Sequence, residues 1–316
     1  MTVTESATGV DLLAELEPVV EQNLNRHLGT AKEWFPHEYV PWSAGRDFDT
    51  EPWEPEQSRL SKDAQAALEI NLLTEDNLPS YHHIIAERYG LEGPWGTWVH
   101  RWTAEEGRHG QVLRDYLLVT RGVDPVELER ARMATVEIGY PGRGDDPLSA
   151  IIYVTLQELA TRVAHRNAGR ASGDPVAERL LSRIAVDENL HMVFYRSLME
   201  AALHLAPSET VTAFDKVLRD FAMPGRGIPG FTRRALAIAR AGIYNLRVHH
   251  DEVAMPLVRY VKVLDLGGLD ASGAAAQERL GTFVTELDRA ATRQTEQIEA
   301  AQAKRLAAAP ITRRTP

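Results

Sequence analysis

The stretch WTAEEGRHG, Trp102 to Gly110, places carboxylates and a histidine inside an otherwise apolar helical pattern. Glu106 and His109 are three positions apart, so they share one face of a helix with Trp102 and Leu113. Charged groups are costly to bury unless they are paired or bind a metal. The question is therefore which other residues of the chain meet this face in the core.

A second stretch, DENLHMVFY, repeats the arrangement from Asp187 to Tyr195, with Glu188 and His191 inside another apolar stripe. A single Glu-x-x-His match carries little information, because such a short motif also arises by chance. Here, however, the predicted helix before each match carries a further glutamate. That glutamate lies on the same helix face as several apolar residues. These glutamates are Glu75 and Glu158.

Four glutamates and two histidines that converge in a core require cations, and two divalent ions would balance the four carboxylates. One Glu from each of two helices, with Glu-x-x-His from each of two others, is the ligand pattern of di-iron carboxylate proteins. Oxygen-rich ligands with two imidazoles suit iron or manganese better than structural zinc. The predicted metal ligands are Glu75, Glu106, His109, Glu158, Glu188 and His191.

Helical spacing dominates the chain, which predicts an all-α fold: a ferritin-like four-helix bundle with additional helices. We expect one domain over residues 10–305, with disordered termini at 1–9 and 306–316. Ser61, Asp146-Pro147 and Asp174-Pro175 are helix start signals, and residues 29–60 read as an irregular surface segment. The predicted helices cover 12–28, 61–88, 95–121, 146–171, 174–206, 208–222, 230–247 and 272–305.

Composition narrows the possible functions. The chain has 316 residues, a net charge of -10 and no cysteine. The acidic balance disfavours nucleic acid as a partner, and the missing thiols exclude Fe–S clusters and zinc-thiolate sites. GRGIPG, from Gly225 to Gly230, lacks a preceding strand, so no nucleotide cofactor site is expected. Because no signal peptide or transmembrane segment is evident, we expect a cytoplasmic protein.

Four stretches, taken with their flanks, resemble the soluble acyl-[acyl-carrier-protein] desaturases, most closely their actinobacterial branch. The stretches are NLLTEDNLPSYHH, WTAEEGRHG, TLQELATR and DENLHMVFYRSL. The resemblance runs from about Leu16 to about Leu257. It implies an oxidoreductase of fatty acid biosynthesis that uses O2 to introduce a cis double bond into an acyl chain on acyl carrier protein. It also implies two Fe(2+) per subunit, a ferredoxin-type electron donor and a homodimer.

The resemblance assigns roles to individual residues. The six predicted ligands match the iron ligands of the family, with Glu106 and Glu158 in the bridging positions. Thr161 matches a catalytic threonine beside the iron site, on the side where oxygen reacts. Trp34 matches a surface tryptophan of the family, and the resemblance implies an electron-transfer route through Trp34, Asp187 and His109. The acidic carrier requires a basic patch, for which Arg226, Arg233 and Arg234 are candidates.

Three alternatives remain open. A related di-iron oxidase or hydroxylase of carrier-bound or CoA-bound acyl chains would use the same ligands. A ferritin-like ferroxidase would share the bundle, although such subunits lack the extra helices expected after Pro207. A third possibility is a protein that retains only the fold. The sequence does not determine the acyl chain length, the double-bond position or the identity of the electron donor. It also does not determine whether the metal is iron or manganese.

Overall fold

The computed structural model describes residues 11–142 and 146–308, which are helical with no strand. The predicted disordered segment 1–9 and the end of the chain from residue 309 lie outside the described residues, and the last helix continues to Ala308. The helices are α1 (Leu12–Thr30), α2 (Lys62–Glu75), α3 (Leu78–Tyr89), α4 (Gly93–Val119), α5 (Pro125–Ile138), α6 (Pro147–Ser172), α7 (Pro175–Leu205), α8 (Pro207–Arg219), α9 (Phe231–Arg240), α10 (Leu246–Val248), a π-helical segment (His249–Ala254), α11 (Met255–Val261) and α12 (Ala271–Ala308).

Helices α2, α4, α6 and α7 form the four-helix core, and α6 and α7 pack along most of their lengths. The first helix packs against α4 and α7, whereas α8 and the π-helical segment pack against α6. The predicted start signals are confirmed: Ser61, Asp146 and Asp174 each accept a hydrogen bond from a backbone N–H in the first turn. The all-α prediction is thus confirmed for the described residues.

The helix predicted over residues 61–88 is in fact two helices. The first ends at Glu75, and the second starts at Leu78 with a proline in its first turn. Pro79 has no N–H to bond the carbonyl of Glu75 four residues earlier, and its ring crowds that carbonyl. The break therefore places Glu75 at the very end of α2, next to the Glu-x-x-His stretch of α4.

The helix predicted over residues 230–247 ends at Arg240, and a separate short helix, α10, begins at Leu246. Two further helical regions were not predicted: α5, and residues 248–261, which continue from α10 through the π-helical segment into α11. The irregular segment before α2 contains three short 3-10 turns, at Pro36–Glu38, Trp42–Ala44 and Pro55–Gln57. Within the part of the chain that the structure describes, no helix has the length and apolar character needed to cross a membrane.

Candidate metal centre

The six predicted ligands come together in the middle of the four-helix core. Glu75 ends α2, Glu106 and His109 lie on α4, Glu158 lies on α6, and the pair Glu188 and His191 lies on α7. All six side chains are buried, and both histidines are fully buried. Burial of so many carboxylates in one place is unfavourable without positive charge, so the cluster is built to hold cations.

The ligand atoms form two overlapping groups, and within each group they lie within 4.8 Å of one another. One group contains Glu75 and His109, and the other contains Glu158 and His191. Glu106 and Glu188 belong to both groups. The geometry therefore favours Glu106 and Glu188 as the carboxylates shared between two metal ions. This differs from the expectation that Glu158 bridges, because Glu158 reaches only the group of His191.

The buried polar atoms of the cluster that lack hydrogen bonds are suited to metal binding. Four buried atoms of the cluster lie close to other cluster atoms but form no hydrogen bond of normal geometry: Glu106 Oε1, Glu158 Oε2, Glu188 Oε1 and His191 Nδ1. Buried polar atoms are rarely left unpaired. His191 Nδ1 lies 2.8 Å from Glu106 Oε1 and 3.6 Å from Glu158 Oε2. His109 Nδ1 lies 3.2 Å from Glu106 Oε2 and 3.4 Å from Glu188 Oε1. Both imidazoles thus present Nδ1 to the carboxylates, as ligands to a common centre would.

The outer nitrogen of each histidine contacts a carboxylate from the opposite motif. His191 Nε2 lies 2.9 Å from Glu105 Oε2, and Glu105 directly precedes Glu106. His109 Nε2 lies 3.4 Å from Asp187 Oδ2, and Asp187 directly precedes Glu188. Such a carboxylate fixes the ring orientation and the tautomer of a metal-binding histidine. The acidic residue before each Glu-x-x-His pair therefore orients the histidine of the other pair.

Two buried histidines that sequence reasoning left without a role also touch the site. His165 Nε2 lies 2.9 Å from Glu75 Oε1. His27 Nε2 lies 2.9 Å from Glu105 Oε2, which extends the contact from His191 to α1. The available signal for His165 is its position two helical turns after Glu158, on the same face of α6. His27 gives no such signal, because it lies on a different helix.

The crowded charges of the cluster shift the pKa values of its carboxyl groups and histidines. Burial and the Glu188 carboxylate raise the pKa of Glu106 and hold that of Glu158 well above its usual range. Burial alone would lower the pKa of both ligand histidines. Glu106 nevertheless raises the pKa of His109 well above its usual value, and Glu105 does the same for His191. The neighbouring carboxylates thus favour the protonated form of both histidines when no cation is bound.

Metal binding should therefore release protons. Because the raised pKa values of His109 and His191 favour the protonated rings, a cation that binds the ring nitrogens displaces protons. The apparent metal affinity should rise with pH through neutrality and fall as the solution becomes more acidic. Anaerobic calorimetry with Mn²⁺ in buffers of different ionisation enthalpy measures the number of protons released. A heat independent of the buffer would contradict the assigned histidine charges.

Thr161 lies between the metal cluster and an apolar cavity. Its Oγ1 lies 2.9 Å from Glu188 Oε2 and 3.0 Å from the backbone oxygen of Glu158. The cavity beside it is bounded by α2, α3, α4 and α6, with further lining residues from α7, the segment before α6 and the loop before α9. Its lining includes Glu75, Leu78, Tyr81, Ile84, Ile85, Tyr89, Trp102, Glu106, Tyr153, Val154, Thr161, Glu188 and Pro224. The metal cluster therefore opens directly onto an apolar space.

Trp34 is buried, with only 5% of its surface exposed, so its expected place at the surface is wrong. The Arg108 guanidinium lies 4.8 Å from the ring centre, and that of Arg183 lies 5.7 Å away, which explains the burial. Trp34 Nε1 donates a 2.7 Å hydrogen bond to Asp187 Oδ2. The indole also lies nearly parallel to the His109 ring, with ring centres 6.4 Å apart. Trp34, Asp187 and His109 are thus in contact.

Comparison with known proteins agrees with this architecture. A fatty acid desaturase family model matches residues 8–311, which is almost the whole chain. The chain is 47% identical over 292 residues to a Mycobacterium tuberculosis protein named acyl-[acyl-carrier-protein] desaturase DesA1, a match that covers 89% of this chain and 86% of that protein. It is also 29% identical over 301 residues to a chloroplastic stearoyl-[acyl-carrier-protein] 9-desaturase of Gossypium hirsutum, covering 89% of this chain and 76% of the relative.

A solved structure of a related protein has a similar fold. The X-ray structure of the acyl-ACP desaturase DesA2 from Mycobacterium tuberculosis H37Rv superposes with a TM-score of 0.69 at 31% identity. The superposition covers 82% of this chain and 97% of that one. The core with its paired Glu-x-x-His motifs, the family model and the relatives lead to one conclusion: the chain belongs to the fatty acid desaturase family that contains the acyl-[acyl-carrier-protein] desaturases.

Proposed function

We propose that this protein is an acyl-[acyl-carrier-protein] desaturase that uses two Fe(2+) per subunit and O2 to introduce a cis double bond into a fatty acyl chain. The observation that carries the proposal is the contact between the metal cluster and the apolar cavity. Glu106 and Glu188 belong to the cluster and also line the cavity. A saturated chain in this cavity would thus lie beside the metal ligands.

The protein contributes binding and positioning. Glu75, Glu106, His109, Glu158, Glu188 and His191 would hold the iron, which supplies the O2 activation needed to oxidise an unactivated CH2 group. The apolar walls bind the acyl chain by burying it from water. They also hold one pair of neighbouring CH2 groups next to the reacting side of the site. Thr161 places a hydroxyl donor at the boundary between cavity and cluster.

The carrier protein would dock near the loop before α9. Pro224 lines the cavity, and Arg226 follows it on an exposed part of this loop. Arg233 is also exposed, whereas Arg234 bonds Glu69 and the backbone oxygen of Pro229. Exposed arginines beside an opening suit an acidic carrier. Arg226 and Arg233 are therefore better candidates for the docking patch than Arg234.

The contact of Trp34 with Asp187 and His109 supports an electron route from an external ferredoxin-type donor. Trp34→Ala should slow ferredoxin-driven turnover at least about tenfold, which corresponds to ~1.4 kcal/mol in the barrier. A single turnover of chemically reduced enzyme should change little, because it bypasses the route. Trp42→Ala in the same segment is a suitable control, since Trp42 is half exposed. Equal losses in both assays would make the role of Trp34 structural.

A homodimer is supported by the apolar surface of α5. Met133 is 62% exposed, Ile138 is 58% exposed and Val126 is 54% exposed, and all three lie on α5. Exposed apolar residues on one helix suit a protein interface. Light scattering should therefore give the mass of two chains. Met133→Glu should shift the protein towards the monomer, whereas a dimer that tolerates this charge would place the interface elsewhere.

Product analysis tests the proposed reaction. Purified iron-loaded protein, reduced ferredoxin and O2 are incubated with acyl carrier proteins that carry chains of different length, and the products are analysed by mass spectrometry. A desaturase removes two hydrogens from the acyl chain, whereas a hydroxylase adds one oxygen. Iron oxidation without any change in the acyl chain would instead support a ferroxidase. The same panel determines chain length and double-bond position.

A further inference from the structure

A second concave site lies on a different face of α6 from the acyl cavity. Arg162 and Arg166 are one turn apart on α6 and line this groove together with Arg196 of α7. The π-helical segment and α11 form its remaining wall. The groove has a volume of about 440 Å3, which falls in the range of small-ligand sites. Its apolar lining is Leu159, Val163, Met192 and Leu257.

The arginines of this groove are poorly neutralised, although the chain as a whole carries a net charge of -10. Arg166 forms an ion pair with Glu252. Arg162 and Arg196 have no carboxylate within ion-pair distance in residues 11–142 and 146–308. The other acid in the groove, Asp251, is paired with Arg247 and His250. Positive charge therefore exceeds negative charge inside the groove.

A fourth arginine adds to this excess. Arg26 of α1 donates to the backbone oxygen of Val193 at 3.3 Å and to Ser197 Oγ at 3.4 Å, which places it beside Arg196 on α7. Burial and then the charge of Arg196 lower the pKa of Arg26. Burial and then the charge of Arg166 lower that of Arg162. These arginines repel one another and are partly desolvated.

Two arginines of the groove also carry hydrogen-bond donors that have no partner. The Nε atoms of Arg166 and Arg196 are buried and have no hydrogen-bond partner. The Arg196 guanidinium lies 3.7 Å from the centre of the Tyr260 ring, which forms part of the groove wall. Repelling cations with unpaired donors are unfavourable in the free protein. A multiply charged anion in the groove would relieve the repulsion between the arginines.

We propose that this groove binds the phosphate group of a small phosphate-containing ligand. Guanidinium groups bind phosphate through two parallel N–H···O hydrogen bonds, and a phosphate offers enough oxygens for several arginines. The groove is concave and has an apolar floor beside Tyr260. It therefore suits a small phosphate ester better than the convex surface of an acidic protein. The proposal does not depend on the desaturase reaction.

The binding test uses the iron-loaded wild-type protein. Calorimetry measures the affinity for inorganic phosphate, AMP and adenosine, with sodium chloride at matched ionic strength as the reference. We expect saturable binding of phosphate and AMP and none of adenosine. Tighter binding of AMP than of phosphate would identify an ester as the ligand, whereas equal affinities would identify free phosphate. Wild-type protein that responds to phosphate only as it does to sodium chloride would overturn the proposal.

Substitutions locate the site. Arg162→Gln and Arg196→Gln should each weaken phosphate binding by about tenfold or more, because each removes a charge-assisted hydrogen bond. Arg293→Gln on α12 changes the net charge equally at an exposed position and should leave the affinity unchanged. In low salt without phosphate, the two groove variants should also unfold at higher temperature than wild type, since repulsion is reduced. Equal affinity losses in the groove variants and the control would refute the location.

Discussion

Glu106→Ala should abolish O2-dependent turnover and reduce bound iron from about two ions per chain to one or fewer. The physical reason is its membership of both four-residue groups, which would make it a ligand to each of two metal ions. Glu188→Ala should behave in the same way. Glu158→Ala should also abolish turnover but keep about one iron, because Glu158 belongs to one group only. Iron analysis and product formation are measured on each purified variant.

The fold should survive these substitutions. Removing one carboxylate from a crowded buried cluster relieves repulsion, which offsets the loss of packing. The unfolding temperature of each iron-free variant should therefore stay close to that of iron-free wild type. Glu286→Ala, an exposed change on α12, serves as the control and should keep both activity and iron. Near-normal turnover by Glu106→Ala would contradict the assigned ligand set.

Thr161→Val should lower productive turnover by about 10²- to 10⁴-fold, the usual contribution of a positioned proton donor. The hydroxyl of Thr161 contacts Glu188 and faces the cavity, so it can deliver a proton where oxygen is reduced. Iron content should not change, because Thr161 is not one of the six ligands. The assay measures product formed per O2 consumed, since uncoupling would lower this ratio.

Two variants distinguish proton donation from packing. Thr161→Ser keeps the hydroxyl and should restore most of the turnover. Thr155→Val removes a buried hydroxyl from the same helix, where it bonds only the backbone oxygen of Ile151. This control should remain active. If Thr161→Val and Thr155→Val reduce product formation equally, Thr161 has only a packing role.

Much of the fold could be predicted, because helix start signals are local. Asp146-Pro147 and Asp174-Pro175 mark the starts of α6 and α7 as predicted. The break after Glu75 was missed because the apolar spacing continues through Pro79 and conceals it. Helix α5 was missed for the opposite reason. Its buried positions Leu128 and Thr135 include only one apolar residue, whereas the apolar residues Met133 and Ile138 face outward.

In the candidate site, too, the features set by local sequence could be predicted, whereas those set by tertiary packing could not. The six ligand positions follow from helical spacing, since Glu-x-x-His pairs share a face. Which carboxylates lie between two metal positions depends on how the helices cross, and the grouping of the side chains favours Glu188 where the resemblance implies Glu158. The contacts of Glu105 with His191 and His27 join three helices. Burial of Trp34 depends on Arg108 and Arg183, which lie far from it in the sequence.

The most direct test of the dinuclear site is the amount and state of iron bound by the wild-type chain. Iron-free protein is reconstituted anaerobically with ⁵⁷Fe(II), excess metal is removed, and iron per chain is measured together with the Mössbauer spectrum. The two overlapping ligand groups predict about two irons per chain, present as one magnetically coupled pair after oxidation. Saturation at one iron per chain, with the helices that carry Glu106 and Glu188 intact, would contradict the proposed centre.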